Sequence, residues 1–128
     1  MIVFVESNFI LEIAYLQEQH ASCEDLLALA ENAQISLKLP AFSMIEASLS
    51  FPQRNARRER FRGEFGRELE ELSRSKPYRK FSSIIPPLTA AFIECGENEK
   101  KGLDSILVRV LSKCEVIPIG CDRHPSPV

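Results

Sequence analysis

The chain opens on an unbroken apolar run, Met1-Ile-Val-Phe-Val5, which Glu6 ends. Such a run predicts a parallel strand covered on both faces. Ser7 and Asn8 then offer side-chain oxygens to cap a helix. That helix, from about Phe9 to Gln17, is apolar on most sides and should pack between layers. His20-Ala-Ser22 reads as a turn, with Ser22 capping a second helix through Leu26, Leu27, Leu29 and Ala30. Ile35-Ser-Leu-Lys-Leu39 alternates apolar and polar residues and predicts a second strand, stopped by Pro40.

A short helix is expected from about Ala41 to Ser50. Pro52 then falls where the first turn of a long charged helix through Leu72 should begin. Phe61, Phe65, Leu69 and Leu72, four, four and three residues apart, give that helix one apolar stripe. Lys76-Pro77 breaks it. Pro86 and Pro87 open an apolar helix to about Cys95, Gly96 and Asn98 mark a turn, and a last helix runs from about Leu103 to Lys113. The third strand is Glu115–Ile119, and residues 120–128 form an irregular, proline-containing tail. Alternating strands and helices predict one α/β domain over residues 1–128, a small parallel sheet flanked by helices with a helical insertion. Ile2–Val5, Ile35–Leu39 and Val116–Ile119 should be its neighbouring parallel strands.

Composition changes this picture little: 45% apolar and 27% charged residues are ordinary for a globular chain. The opening residues lack the basic lead of a signal peptide, and no stretch approaches the roughly 20 apolar residues that cross a bilayer. Cys23, Cys95, Cys114 and Cys121 are scattered without a C-x-x-C pair, as expected of free thiols in a cytoplasmic protein. Charge is more informative. The net value of −2 conceals ten cations against five acids between Arg54 and Lys80, which leaves the remainder strongly acidic. The basic helical region, about residues 52–80, reads either as a docking surface or as a solvated helix.

Two carboxylates stand out. Glu6 follows the first strand on the turn into a helix, where ligands bind in open α/β sheets. The alternative is a capping acid held by the helix N-terminus. Glu46 falls beside Phe42, Ile45 and Leu49, which mark the apolar face of its helix. An ionised carboxylate there needs a compensating cation or a buried arginine. Two acids after two successive strands make the beginning of a Mg²⁺ or Mn²⁺ site, because hard cations take oxygen ligands and keep several waters.

Val3-Phe-Val-Glu-Ser-Asn-Phe-Ile-Leu-Glu12, followed by Leu39-Pro-Ala-Phe-Ser-Met-Ile-Glu-Ala47, resembles the opening of a PIN-domain nuclease over roughly the first 50 residues. That family usually carries Asp where this chain has Glu6. The resemblance implies a PIN-like α/β fold and a metal-dependent endoribonuclease with Glu6 and Glu46 as metal-holding catalytic acids. Asn8 would then support the loop that bears Glu6. In one register the third and fourth acids are Asp104 and Asp122. In the other, which we favour, the helix bearing Asp104 belongs to the insertion, and the segment with the third acid is missing from a foreshortened chain. Arg54, Arg57 and Arg58 would engage RNA. The implied biology is the toxin of a toxin–antitoxin pair, a cytoplasmic homodimer held by a cognate antitoxin. The alternative is an inactive relative that serves as a protein- or RNA-binding module. His20 and His124 are too few for a histidine-based triad, and phosphate-binding glycine loops are absent.

Overall fold

A computed structural model of the chain describes residues 1–118. Its strands are short: β1 (Ile2–Phe4), β2 (Ser36–Pro40) and β3 (Glu115–Ile117). They lie parallel in the order β1-β2-β3, with Val3 opposite Leu37 and Leu39 opposite Val116. The rest is helix: α1 (Ser7–Ala14), α2 (His20–Glu31), α3 (Ala41–Ser73), a 3₁₀ segment (Lys76–Ile84) and α4 (Ile85–Lys113). About 77% of the described residues are helical.

The expected PIN-like α/β architecture is therefore corrected to a mostly helical fold with a minor parallel sheet. Two local signals that read as breaks are absorbed into helices. Pro52 does not start a helix but lies inside α3, which runs unbroken through 33 residues. Proline cannot bond the carbonyl four residues back, but Pro52 and Ser48 are both exposed, so water can take up that carbonyl. Gly96 and Asn98 do not make a turn either; they sit within the 29 residues of α4. The prolines at 86 and 87 do stand in the first turn of α4, where a missing N–H loses nothing.

The core gathers around α1. Phe9, Ile10, Ile13 and Ala14 are buried against Leu27 and Ala30 of α2, Leu37 and Leu39 of β2, Ala47 of α3, and Leu103, Ile106 and Val110 of α4. Full burial of each large aliphatic side chain contributes about 1.5–3 kcal/mol. Val3, Val5, Leu37 and Leu39 turn from the sheet into this core. The opposite face is open among the described residues. Ile2, Ser36 and Phe4 point outward, Phe4 at 68% exposure, so β1 is not covered on both sides as its apolar run predicts. Lys38 and Glu115, opposite one another in the register, form a 3.0 Å ion pair across β2 and β3.

Helix ends and glycines exchange their usual roles here. At the end of α1, Leu16 adopts a left-handed φ of 51°, and at the end of α2 Ala33 does so at 60°. Each leads a Schellman motif, in which Gln17 N–H bonds Glu12 C=O and Gln34 N–H bonds Leu29 C=O. Gly102, by contrast, lies mid-helix, where α4 crosses the end of α1. A Cβ at that position would stand 2.1 Å from the Ala14 carbonyl oxygen. Only glycine permits so close a crossing.

Beyond the core, the second half of α3, the 3₁₀ segment and the first half of α4 form a helical hairpin. Leu69 is its buried centre. Phe61 stacks on Phe65 at 5.6 Å and tilts against Phe92 at 6.2 Å. Near its base, Arg54 and Arg58 both grip Glu99 of α4, at 2.7 and 2.6 Å. The Arg54 guanidinium also lies 4.4 Å over the Tyr15 ring, whose hydroxyl is 2.6 Å from Ser50 Oγ. Arg109 ties α4 to α2 through Glu24 and Glu31.

Candidate functional site

Glu6 caps the N-terminus of α1 from an extended backbone, beyond the carboxyl end of β1. It is exposed, and no side-chain bond caps the helix, so neither Ser7 nor Asn8 plays the expected capping part. Ser7 Oγ instead donates to Glu46 Oε1 at 2.5 Å. This bond links the loop after β1 to the first turns of the helix after β2, and it brings Glu46 beside the residue that follows Glu6. The reason Glu46 comes there differs from the sequence argument. Phe42, Ile45 and Leu49 are not the buried face of α3; they are exposed, Phe42 at 59%, while Ser43 and Ala47 face the core. Glu46 is exposed as well, so no burial penalty demands a partner.

Glu6 and Asn8 line a shallow pocket of about 390 Å³ with Glu12, Gln19 and Cys23. Glu12 Oε1 accepts the Gln19 backbone N–H at 2.5 Å. Burial, and secondarily the charge of Glu12, push the Cys23 thiol above its ordinary range, so it rests protonated rather than as a nucleophilic thiolate. Glu12 escaped the sequence reading, and Ser7 entered it only as a helix cap, not as the partner of Glu46. Glu12 stands four residues after Asn8, the spacing of one helix face, and that was the available signal.

The remaining candidates lie elsewhere. Asp104 is exposed on α4 and faces Lys100 at 3.5 Å, one helical turn back. Asp122 lies outside the described residues. Among the described residues no three His, Cys, Asp or Glu side chains converge as a metal-holding group. Arg54 and Arg58 are occupied by Glu99, with an exposure of only 13% for its side chain. Burial raises the carboxyl pKa of Glu99, but the hydrogen bonds from Arg58 and Arg54 outweigh it and hold the group below its usual range. Arg57 is exposed.

Glu6 and Asn8 share the shallow pocket, whereas Glu46 is not part of its lining and meets the loop after β1 through Ser7. Comparison with protein-family models, with curated proteins and with solved structures gave no significant match. No helix among the described residues is long and apolar enough to cross a membrane.

Proposed function

We propose that this chain is a metal-dependent RNA-cleaving hydrolase, with Glu6 and Glu46 holding Mg²⁺ or Mn²⁺ on the carboxyl side of the sheet. The Ser7–Glu46 hydrogen bond carries the proposal, because it ties Glu46 to the residue that follows Glu6. The resemblance of residues 3–47 to PIN nucleases supports it from the sequence side, without the PIN fold. When bound, the ion would supply a polarised water and neutralise charge developing on the phosphodiester. The chain's own part is to position. Ser7 fixes the rotamer of Glu46, and Glu6 is carried by the rigid start of α1. By the same resemblance, we place the protein in the cytoplasm as a homodimeric toxin opposed by an antitoxin. The exposed Phe42, Ile45 and Leu49 stripe offers apolar surface for such a partner.

The test is a calorimetric Mn²⁺ titration paired with metal-dependent cleavage of labelled RNA. Glu6→Gln and Glu46→Gln should each abolish Mn²⁺ binding while leaving the fold intact. Ser7→Ala should weaken it about tenfold, as expected when a ligand loses its orienting partner. Glu46→Gln that unfolds the protein without changing Mn²⁺ affinity would make Glu46 a structural strut. The second reading is a non-catalytic binding module, favoured by the pairing of Asp104 with Lys100 rather than with the other acids. It predicts no Mn²⁺ binding to the wild type.

A further inference from the structure

Between Glu71 and Glu94 the chain contains no acid, yet it carries Arg74, Lys76, Arg79 and Lys80. This stretch spans the end of α3, the 3₁₀ segment and the start of α4, so it forms the tip of the hairpin. The 33 residues of α3 set that tip about 50 Å along the helix from β2. Lys76, Arg79 and Lys80 have no carboxylate within ion-pair distance among the described residues, and Arg74 has only exposed Glu71 at 3.7 Å. Arg79 Nε donates to the Ser73 carbonyl at 3.3 Å, which holds its guanidinium over the end of α3.

Aromatic rings stand among these cations. Tyr78 and Phe81 are 46% and 40% exposed. Their centroids are 6.3 Å apart with the planes inclined by only 21°, and Lys80 Nζ lies 5.4 Å from the Phe81 ring. Beside the tip, a groove of about 270 Å³ runs between Gly63 and Gly66 of α3 and Ile85 and Leu88 of α4, with Arg62 and Arg67 at its rim. Near-parallel, water-facing rings interleaved with unpaired cations make a stacking platform on an electrostatic track. Duplex bases are already stacked and cannot use the rings. A lipid surface calls for a broader aliphatic face than Ile84 supplies beside them.

We infer that the 3₁₀ tip is a docking surface for single-stranded RNA. Tyr78 and Phe81 stack on bases, and Lys76, Arg79 and Lys80 contact phosphates. The choice of RNA as the anion rests on the function proposed above, but the surface does not depend on Glu6 or Glu46. It also moves the expected RNA contacts from Arg54 and Arg58, which Glu99 occupies, to the other end of the hairpin.

Fluorescence anisotropy of a labelled oligouridine on the full chain, in EDTA, tests the inference. A Lys76→Ala/Arg79→Ala/Lys80→Ala variant should bind more weakly and flatten the log–log salt dependence by about 2, near 0.7 for each lost phosphate contact on a single strand. Tyr78→Leu and Phe81→Leu, which keep apolar bulk, should each weaken binding about 5- to 140-fold by removing a stack. Circular dichroism should be unchanged in all of them, since the altered side chains are exposed. A Lys100→Ala/Lys101→Ala control, on exposed cations of α4 away from the tip, that loses as much as the tip variants would overturn the assignment. So would equal affinity for a duplex of the same length, or capture by anionic phospholipid vesicles in place of RNA. If the wild type binds no oligouridine but still binds Mn²⁺, this inference falls and the metal site stands. Tip-dependent RNA binding without any Mn²⁺ binding upholds the inference and removes the nuclease reading.

Discussion

Glycine-to-alanine substitution should have opposite signs at different points of the two long helices. At Gly63 and Gly66 an added Cβ meets nothing within 4 Å. Alanine there keeps the helical backbone and removes the entropic cost of glycine, a gain of about 1 kcal/mol at each site. Gly102 offers the same propensity gain, but its Cβ would stand 2.1 Å from the Ala14 carbonyl oxygen, whereas ordinary contact begins at 3.4 Å. The obstruction is backbone, so no side chain can rotate away. Helix α4 must instead withdraw from α1 by roughly 1 Å. That opens the contact in which Leu103 and Ile106 pack against Ile10 and Ile13. Overpacking of this kind costs about 1–3 kcal/mol or more, and it outweighs the propensity gain. Gly102→Ala should therefore lose about 2 kcal/mol, while Gly63→Ala/Gly66→Ala should gain about as much. Urea unfolding followed by far-ultraviolet circular dichroism measures both, with the slope m checked for constancy. A stabilised Gly102→Ala would refute the close crossing of α1 and α4 and, with it, the packing of the core.

Two further outcomes concern charge. Removing Glu99 as Glu99→Ala leaves the part-buried Arg54 and Arg58 without their shared anion, and should cost about 1–3 kcal/mol in urea unfolding; a loss below about 0.5 kcal/mol would rank the clamp with surface ion pairs. Acid should also weaken the fold. Hydrogen bonding from Arg109 holds the Glu31 carboxyl low despite burial, and Glu99 is held low by Arg58 and Arg54. Carboxyls that ionise more readily in the folded state add stability above their unfolded pKa, about 4.3, and lose it as pH falls through the folded values. The urea midpoint should stay level from neutrality to about pH 5 and then fall, less steeply in Glu99→Ala; a midpoint that rises on acidification would contradict these pairings.

What the sequence determined by itself was local. A five-residue apolar run ended by Glu6, an alternating run stopped by Pro40, and prolines at 77, 86 and 87 each act through their own backbone, so β1, β2, the end of α3 and the start of α4 were legible. So was the position of Glu6 just after β1 and of Glu46 in the helix that follows β2. Tertiary structure decided the rest, because it turned on partners distant along the chain. Gly102 reads as a weak helix position until α1 is laid across it, and Pro52 reads as a helix start until its exposure makes it tolerable inside one. Phe42, Ile45 and Leu49 carry an apolar rhythm that faces water because smaller residues, Ser43 and Ala47, allow α3 to approach α1 on the other side. The arginines at 54 and 58 are indistinguishable in sequence from those at 57 and 60, yet Glu99, more than 40 residues away, removes only the first two from the surface. The bond from Ser7 to Glu46 spans 39 residues and could be drawn only once β1 and β2 were neighbours. Strand and helix propensities act over a few residues, whereas burial and ion pairing are settled by which helices the fold brings together.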